Sequence, residues 1–271
     1  MTLEQLQQIF PDATAETWHQ HPNGGGWVQN TARVSGDARV SGNAQVSGDA
    51  QVFGNAQVSG DAWVSGNAQV SGDARVSGNA QVYGTARVFG DARVSGNAQV
   101  SGDAQVYGNA QVYGTARVSG DARVSGTALV SGTARVSGNA QVYGTAQVFG
   151  DARVSGTALV FGDARVFGNA QVFDTARVSG NAQVYGTARV FGDAWTFSPL
   201  QIQGTRHMLY IPAYGVIGVG CVQQSPKWWR EHYKAVGRKE GYTAQQIAEY
   251  VDLLIIAERW MKAHGVYEAA K

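Results

Sequence analysis

Cysteine is nearly missing from this chain. Cys221 is the only one among 271 residues, which excludes an internal disulfide framework. Proline occurs five times and charged residues make up only 15 % of the chain. From Thr31 to Phe197 there is no lysine, glutamate or histidine, although twelve arginines and eleven aspartates are present. Net charge is about −3 before residue 31, +1 in this central stretch and +3 after it. No part is basic enough to give a nucleic-acid footprint. The N-terminus, MTLEQLQQIF, lacks a basic stretch followed by an apolar core, so no secretory signal is expected. The segment VDLLIIAERWM is too short and too charged at its edge to span a bilayer. A soluble cytoplasmic protein without a membrane partner is the expectation.

What is present is a single phrase, repeated. Valine falls at every sixth position from Val28 to Val190, within the unit A-x-V-[SYF]-G-[DNT]. Alanine and valine stand two apart, so they point to one face of a short strand while the residue between them points to the other. Glycine follows in every hexad from Gly36 to Gly192 except at Asp174. Glycine accepts positive φ at no steric cost and Asp is a usual substitute, so a tight corner is expected there. A strand and a corner every six residues predict a triangular coil of eighteen residues, each side pairing with the side one coil on, about 4.8 Å away. The 28 valines amount to about nine coils, a rod about 45 Å long at that spacing.

The stretch VSGNAQVYGTARV resembles the hexapeptide-repeat family, over about 60 % of the chain. The resemblance implies an all-β solenoid, a left-handed parallel β-helix. Here Ser, Tyr or Phe separates the aliphatic residue from the glycine, where that family usually places glycine directly after it.

Both ends change composition, as the open edges of a solenoid require. Residues 1–27 are expected to form a short helical cap, with Thr2 and Gln5 as a capping box and Leu3, Leu6 and Ile9 as one apolar stripe. Residues 28–197 form the β-helix, with Trp195 at an outward mid-strand position. Residues 198–271 form a small α+β domain. In it Ser225 and Pro226 start a helix that Gly237 ends, and Thr243 with Gln246 starts a second. That second helix shows two stripes, one of Ile247, Tyr250, Val251, Leu254 and Ile255 and one of Leu253, Ile256 and Trp260, so contact on two sides is expected. The tail segment WWREHYKAVGRKEGYTAQQIAEY resembles prophage-borne hexapeptide solenoid proteins of uncertain function, which implies a phage product acting on a host component.

Hexapeptide enzymes resemble one another in taking a general-base or zinc-binding histidine from the coils. This rod has none, and no loop leaves it between Val28 and Val190. His19, His21, His207, His232 and His264 all lie in the flanks, and His207, Cys221 and His232 match no catalytic spacing. NGGGW lacks the Lys-Ser/Thr of a phosphate cradle and reads as a hinge. Gln or Arg in place of threonine at mid-strand disfavours ice binding. No catalytic residue, metal site or cofactor is therefore assigned.

Two surface features remain. Arg117, Arg135 and Arg153 fall on one side at successive levels. Twelve aromatic residues occupy the position after valine, with Phe53, Phe89 and Tyr107 among those on one corner. Aromatic and Arg anchors are what a desolvated interface uses. The tail, folded back along the last coils, is expected to cover the rings after Phe149 and leave those three free. The expected function is a non-enzymatic scaffold that presents a rigid surface to a protein partner, through Arg117, Arg135, Arg153, Phe53, Phe89 and Tyr107, with Trp228 and Trp229 as tail anchors. A transferase with its site at a subunit interface of a homo-oligomer, and a polymer-forming cytoskeletal element, stay open as alternatives.

Overall fold

The computed structural model describes residues 1–192, 194–195 and 197–268, so the C-terminal region expected to reach residue 271 is described to Glu268. The hexads form a β-solenoid with three parallel sheets, one per face. Each strand pairs with the strand eighteen residues on, valine opposite valine: Val28 with Val46, Val34 with Val52 and Val40 with Val58 begin the three series. The first face carries Trp27, Gln45, Trp63, Gln81, Gln99, Arg117, Arg135, Arg153, Gln171 and Arg189 outward. The second begins at Arg33 and the third at Arg39. Alanine and valine fill the interior: every repeat alanine and valine from Val40 to Val184 is fully buried. A valine interior needs little rotamer ordering for the area it removes from water.

Each corner glycine from Gly36 to Gly192 has φ between 61° and 80°, and Asp174 keeps the same conformation with φ 56°. Space forbids a side chain there as well, because a Cβ on Gly126 would stand 2.9 Å from the carbonyl oxygen of Gly144 one coil on. The next residue, Asp, Asn or Thr, ties the coils together at the rim. The side chains of Asn43 and Asn55 donate to Asp61 and Asp73 at 2.9 Å, and Thr85, Thr133 and Thr145 donate to Asp103, Asp151 and Asp163. A neutral donor facing each of these carboxylates keeps like charges from stacking.

The N-terminal cap does more than the predicted helix. Helix α1, Leu3–Ile9, has the Thr2–Gln5 capping box and buries Leu6. A strand, Trp18–Gln20, then pairs antiparallel with Trp27–Gln29 and extends the first face. The cap lies on that face: Phe10 packs 5.7 Å from Trp63, and the Trp27 indole donates to Met1 O at 3.0 Å. The glycines read as a hinge are instead packed on the first edge of the third face. Gly26 N donates to Val40 O at 2.9 Å, and a Cβ on Gly24 would meet that oxygen at 2.4 Å.

At the far end the repeat slips by one residue. Trp195 pairs with Val178 and Ala194 with Arg177, so Trp195, expected to point outward, takes an interior valine position and is fully buried. A one-residue slip exchanges the two sides of a strand, and here it puts a large ring in the open last coil. Phe197 and Tyr214 close on it edge-on at 5.9 and 5.4 Å. Its indole Nε1 has no hydrogen-bond partner, a cost of about 1–3 kcal/mol set against the area buried.

Beyond it, strands Gln201–Gln203, Met208–Ala213, Val216–Val219 and Val222–Gln224 form an antiparallel sheet. Met208–Ala213 packs on Arg189–Phe191. Helix α2 spans Pro226–Lys239 with Ser225 as N-cap, and α3 spans Ala244–Ala263 with the Thr243–Gln246 capping box. Gly237 does not end α2. It lies buried within it, where a Cβ would come within 2.8 Å of Ile247, so the glycine allows close approach of α3; the reversal falls at Gly241, φ 70°. Of the two apolar stripes on α3, Tyr250 and Leu254 are buried and Leu253 and Trp260 pack on the core, while Ile255 and Ile256 stay exposed.

Two substitutions test this architecture. Val112→Asp puts an unpaired charge at a position with no exposure and should remove the cooperative thermal transition of the rod, read by circular dichroism. Asp174→Gly relieves the one non-glycine corner and should stabilise the protein by about 1 kcal/mol in denaturant unfolding.

Candidate interaction surfaces

Parallel pairing sets Arg117 opposite Arg135 and Arg135 opposite Arg153 on the first face. All three are exposed. Among the described residues none of their guanidinium groups has an ion pair or hydrogen bond. Among the described residues the only other side-by-side arginines on the rod are Arg75 and Arg93 on the third face. At strand spacing three such charges, about 4.8 Å apart, repel one another and attract anions. Above them the face is occupied by the N-terminal cap, whose contacts reach Trp63.

The predicted aromatic anchors do not share this surface. Phe53, Phe89 and Tyr107 follow second-face valines, so they line the corner between the second and third faces, opposite the first. Phe89 and Tyr107 stack at 4.9 Å, while Phe53 stands alone and 39 % exposed. The rings that border the arginines are Tyr113 and Phe149, at the corner leading into Arg117 and Arg153. Sorting the hexads by threes finds them, provided that each aromatic is assigned to the face after it as well as the face before it.

Of the later rings, the tail packs against the strand that holds Phe191, where Met208–Ala213 lies on Arg189–Phe191. It meets the rod at the last coil: Ser198 Oγ accepts from Gln183 N, Gln201 Oε1 accepts from Tyr185 N, and Met208 lies against Gly186. Tyr185 remains 37 % exposed. The rings from Phe149 onward rest on one another, Phe149 on Phe167 at 5.0 Å and Phe167 on Tyr185 at 5.4 Å, with Arg165 over Phe149. Of the two tail anchors, Trp229 is a core residue, 3 % exposed, whose indole donates to Ile217 O at 2.8 Å. Trp228 is half-buried and stacks on His232 at 4.4 Å.

His207 and Cys221 come together; His232 stays apart. The first two line a narrow pocket of about 60 Å³ between the tail sheet and the two helices, with Tyr242, Tyr250 and Glu240. His207 Nδ1 is paired with the Tyr242 hydroxyl, and Arg206 lies over that ring at 4.7 Å. Tyr250 OH accepts from His207 N and donates to His207 O, both at 2.6 Å, pinning this loop to α3. Burial, helped by the neighbouring Tyr250 and opposed by Arg206, pushes the Tyr242 phenol up to about 12. Among the described residues no group of three or more His, Cys, Asp or Glu side chains could hold a metal ion, and no helix is long and apolar enough to cross a membrane.

The Tyr242 phenol gives the tail a signature in alkali. The unfolded chain releases this proton near its ordinary value of 10.0, the folded chain only near 12. Between those values the folded state holds more protons, so this contribution to stability is complete below pH 10 and is lost as pH rises through 12. Thermal unfolding followed from pH 9 to 12 should show a shallower fall for Tyr242→Phe than for the parent.

The repeats match the sequence model of the YdcK beta solenoid repeat at residues 32–48, 50–66, 68–84, 86–102 and 116–132. The first four segments begin one coil apart on the second face and the fifth begins on the first face. The repeat model therefore fits a coil read from either of two faces, as a core of one residue pair per side allows. No curated protein matches the chain. The molecule is a parallel β-solenoid of about nine turns, five segments of which match the YdcK beta solenoid repeat.

Proposed function

We propose that this chain is a non-enzymatic scaffold whose rod presents a rigid, repetitive surface to a partner protein with acidic groups. The observation that carries the reading is the run of Arg117, Arg135 and Arg153, in register and with no side-chain partner among the described residues. Leaving three like charges adjacent costs the fold some repulsion, and the same spacing offers an acidic surface a match over three coils. Tyr113, 38 % exposed, and Phe149 at the adjoining corner supply apolar area beside the charges. A rod whose core consists of valine and alanine loses no loop entropy when it binds, which favours a repetitive partner. The phage setting is supported by the likeness of the tail sequence to prophage-borne solenoid proteins.

Replacing Arg117, Arg135 and Arg153 together by Gln, already present at neighbouring levels, should leave the thermal transition in place or raise it slightly by relieving their repulsion. Capture of partner from host lysate, identified by mass spectrometry, should weaken about tenfold or more, and the salt dependence of the residual binding should fall. Unchanged capture by the triple variant refutes the reading. So does turnover of acetyl-coenzyme A that disappears with His207→Ala, which would select the transferase alternative.

A further inference from the structure

Helices α2 and α3 together line two adjoining depressions, of about 400 and 570 Å³, that share Tyr233 and Val251. They form one groove along the outside of the tail domain, separate from the rod. Its floor is apolar, with Tyr233, Val251, Leu254 and Ile255. Ile255 is 45 % exposed, on a helix whose buried side is already complete with Tyr250, Leu254, Ala257 and Met261. Ile255 adds its exposed area to the apolar floor, and it is a contiguous apolar surface of this kind that marks a contact.

The rim says what fits. Arg230, Arg259 and Lys262 border one depression, Lys234 and Arg238 the other. Against these five cations stand two carboxylates, Asp252 and Glu258, and Glu258 is held by Arg230 at 3.4 Å. The guanidinium groups of Arg238 and Arg259 have no partner among the described residues. The groove runs along most of α3, 20 residues, or about 30 Å at 1.5 Å per residue. A second copy docking by the same groove would bring two basic rims together, which like-charge repulsion opposes. An apolar stripe flanked by acidic residues complements both floor and rim. We propose that the α2–α3 groove docks an acidic amphipathic helix of a partner protein. This assignment goes beyond the rod surface and does not depend on it.

The probe is a labelled synthetic helix of about 14 residues, with leucines at i, i+3, i+4 and i+7 and glutamates on both flanks, titrated with the full chain and read by fluorescence anisotropy. Saturable binding is expected, weakening as salt rises. Ile255→Ser should weaken it about tenfold, and Arg259→Glu should weaken it independently. Both positions are exposed, so the melting transition should not move. Peptides with lysine for glutamate, or serine for leucine, should bind at least tenfold more weakly. The Arg117, Arg135, Arg153 to Gln variant should bind the peptide as the parent does. No saturable binding at millimolar protein, or equal binding of the lysine peptide, overturns the proposal. A dimer in sedimentation of the protein alone that Ile255→Ser dissolves also overturns it, by assigning the groove to a second copy.

Discussion

Once in every six residues this chain must hold a backbone at positive φ against the backbone of the next coil. At Gly126 the free space to the Gly144 carbonyl is less than a side chain needs, and the same crowding recurs along all three edges. That corner fixes the strand length, the three-sided cross-section and the eighteen-residue register together. With the register fixed, valine meets valine in every sheet, and each outward residue inherits its place from its position modulo eighteen. Asp174 shows how strict the demand is: the corner survives without glycine, held in the same left-handed conformation.

A triangular rod separates its surface into faces that cannot cooperate in one flat contact. Three arginines on the first face and three aromatic residues on the opposite edge look equally available in a list of exposed residues, yet no single partner surface spans both. What adjoins the arginines is the edge with Tyr113 and Phe149. The first face is also the one partly covered by the N-terminal cap, which confines its free portion to the middle and later coils. Geometry therefore ranks features that composition leaves equal.

The tail obeys different physics. The rod is stabilised by repetition, each coil by its neighbours; the tail by a small heterogeneous core, with Trp229, Tyr250 and Met261 buried among residues that occur once each. The junction is Trp195, which leaves the hexad register to fill the last coil and accepts an unpaired indole N–H in doing so. Helix pairing through Gly237 leaves the outer groove with its basic rim.

The sequence by itself determined the rod. Period, alternation and corner glycines each act within one hexad or one coil, and the three agree, so strands, corners, core and the arginine register were all legible in it. The caps of α1, α2 and α3 were legible for the same reason, being set by residues three apart. Only the tertiary structure decided where the repeat stops, since the slip at Trp195 depends on the size of the opening it fills. The role of Gly237 likewise depends on Ile247, ten residues away on another helix. The joining of His207 with Tyr242, and the exposure of Ile255 beside buried Leu254, arise from packing between segments that share no period. Where contacts are local and repeated, sequence suffices; where they are made once and between distant segments, only the folded arrangement carries the information.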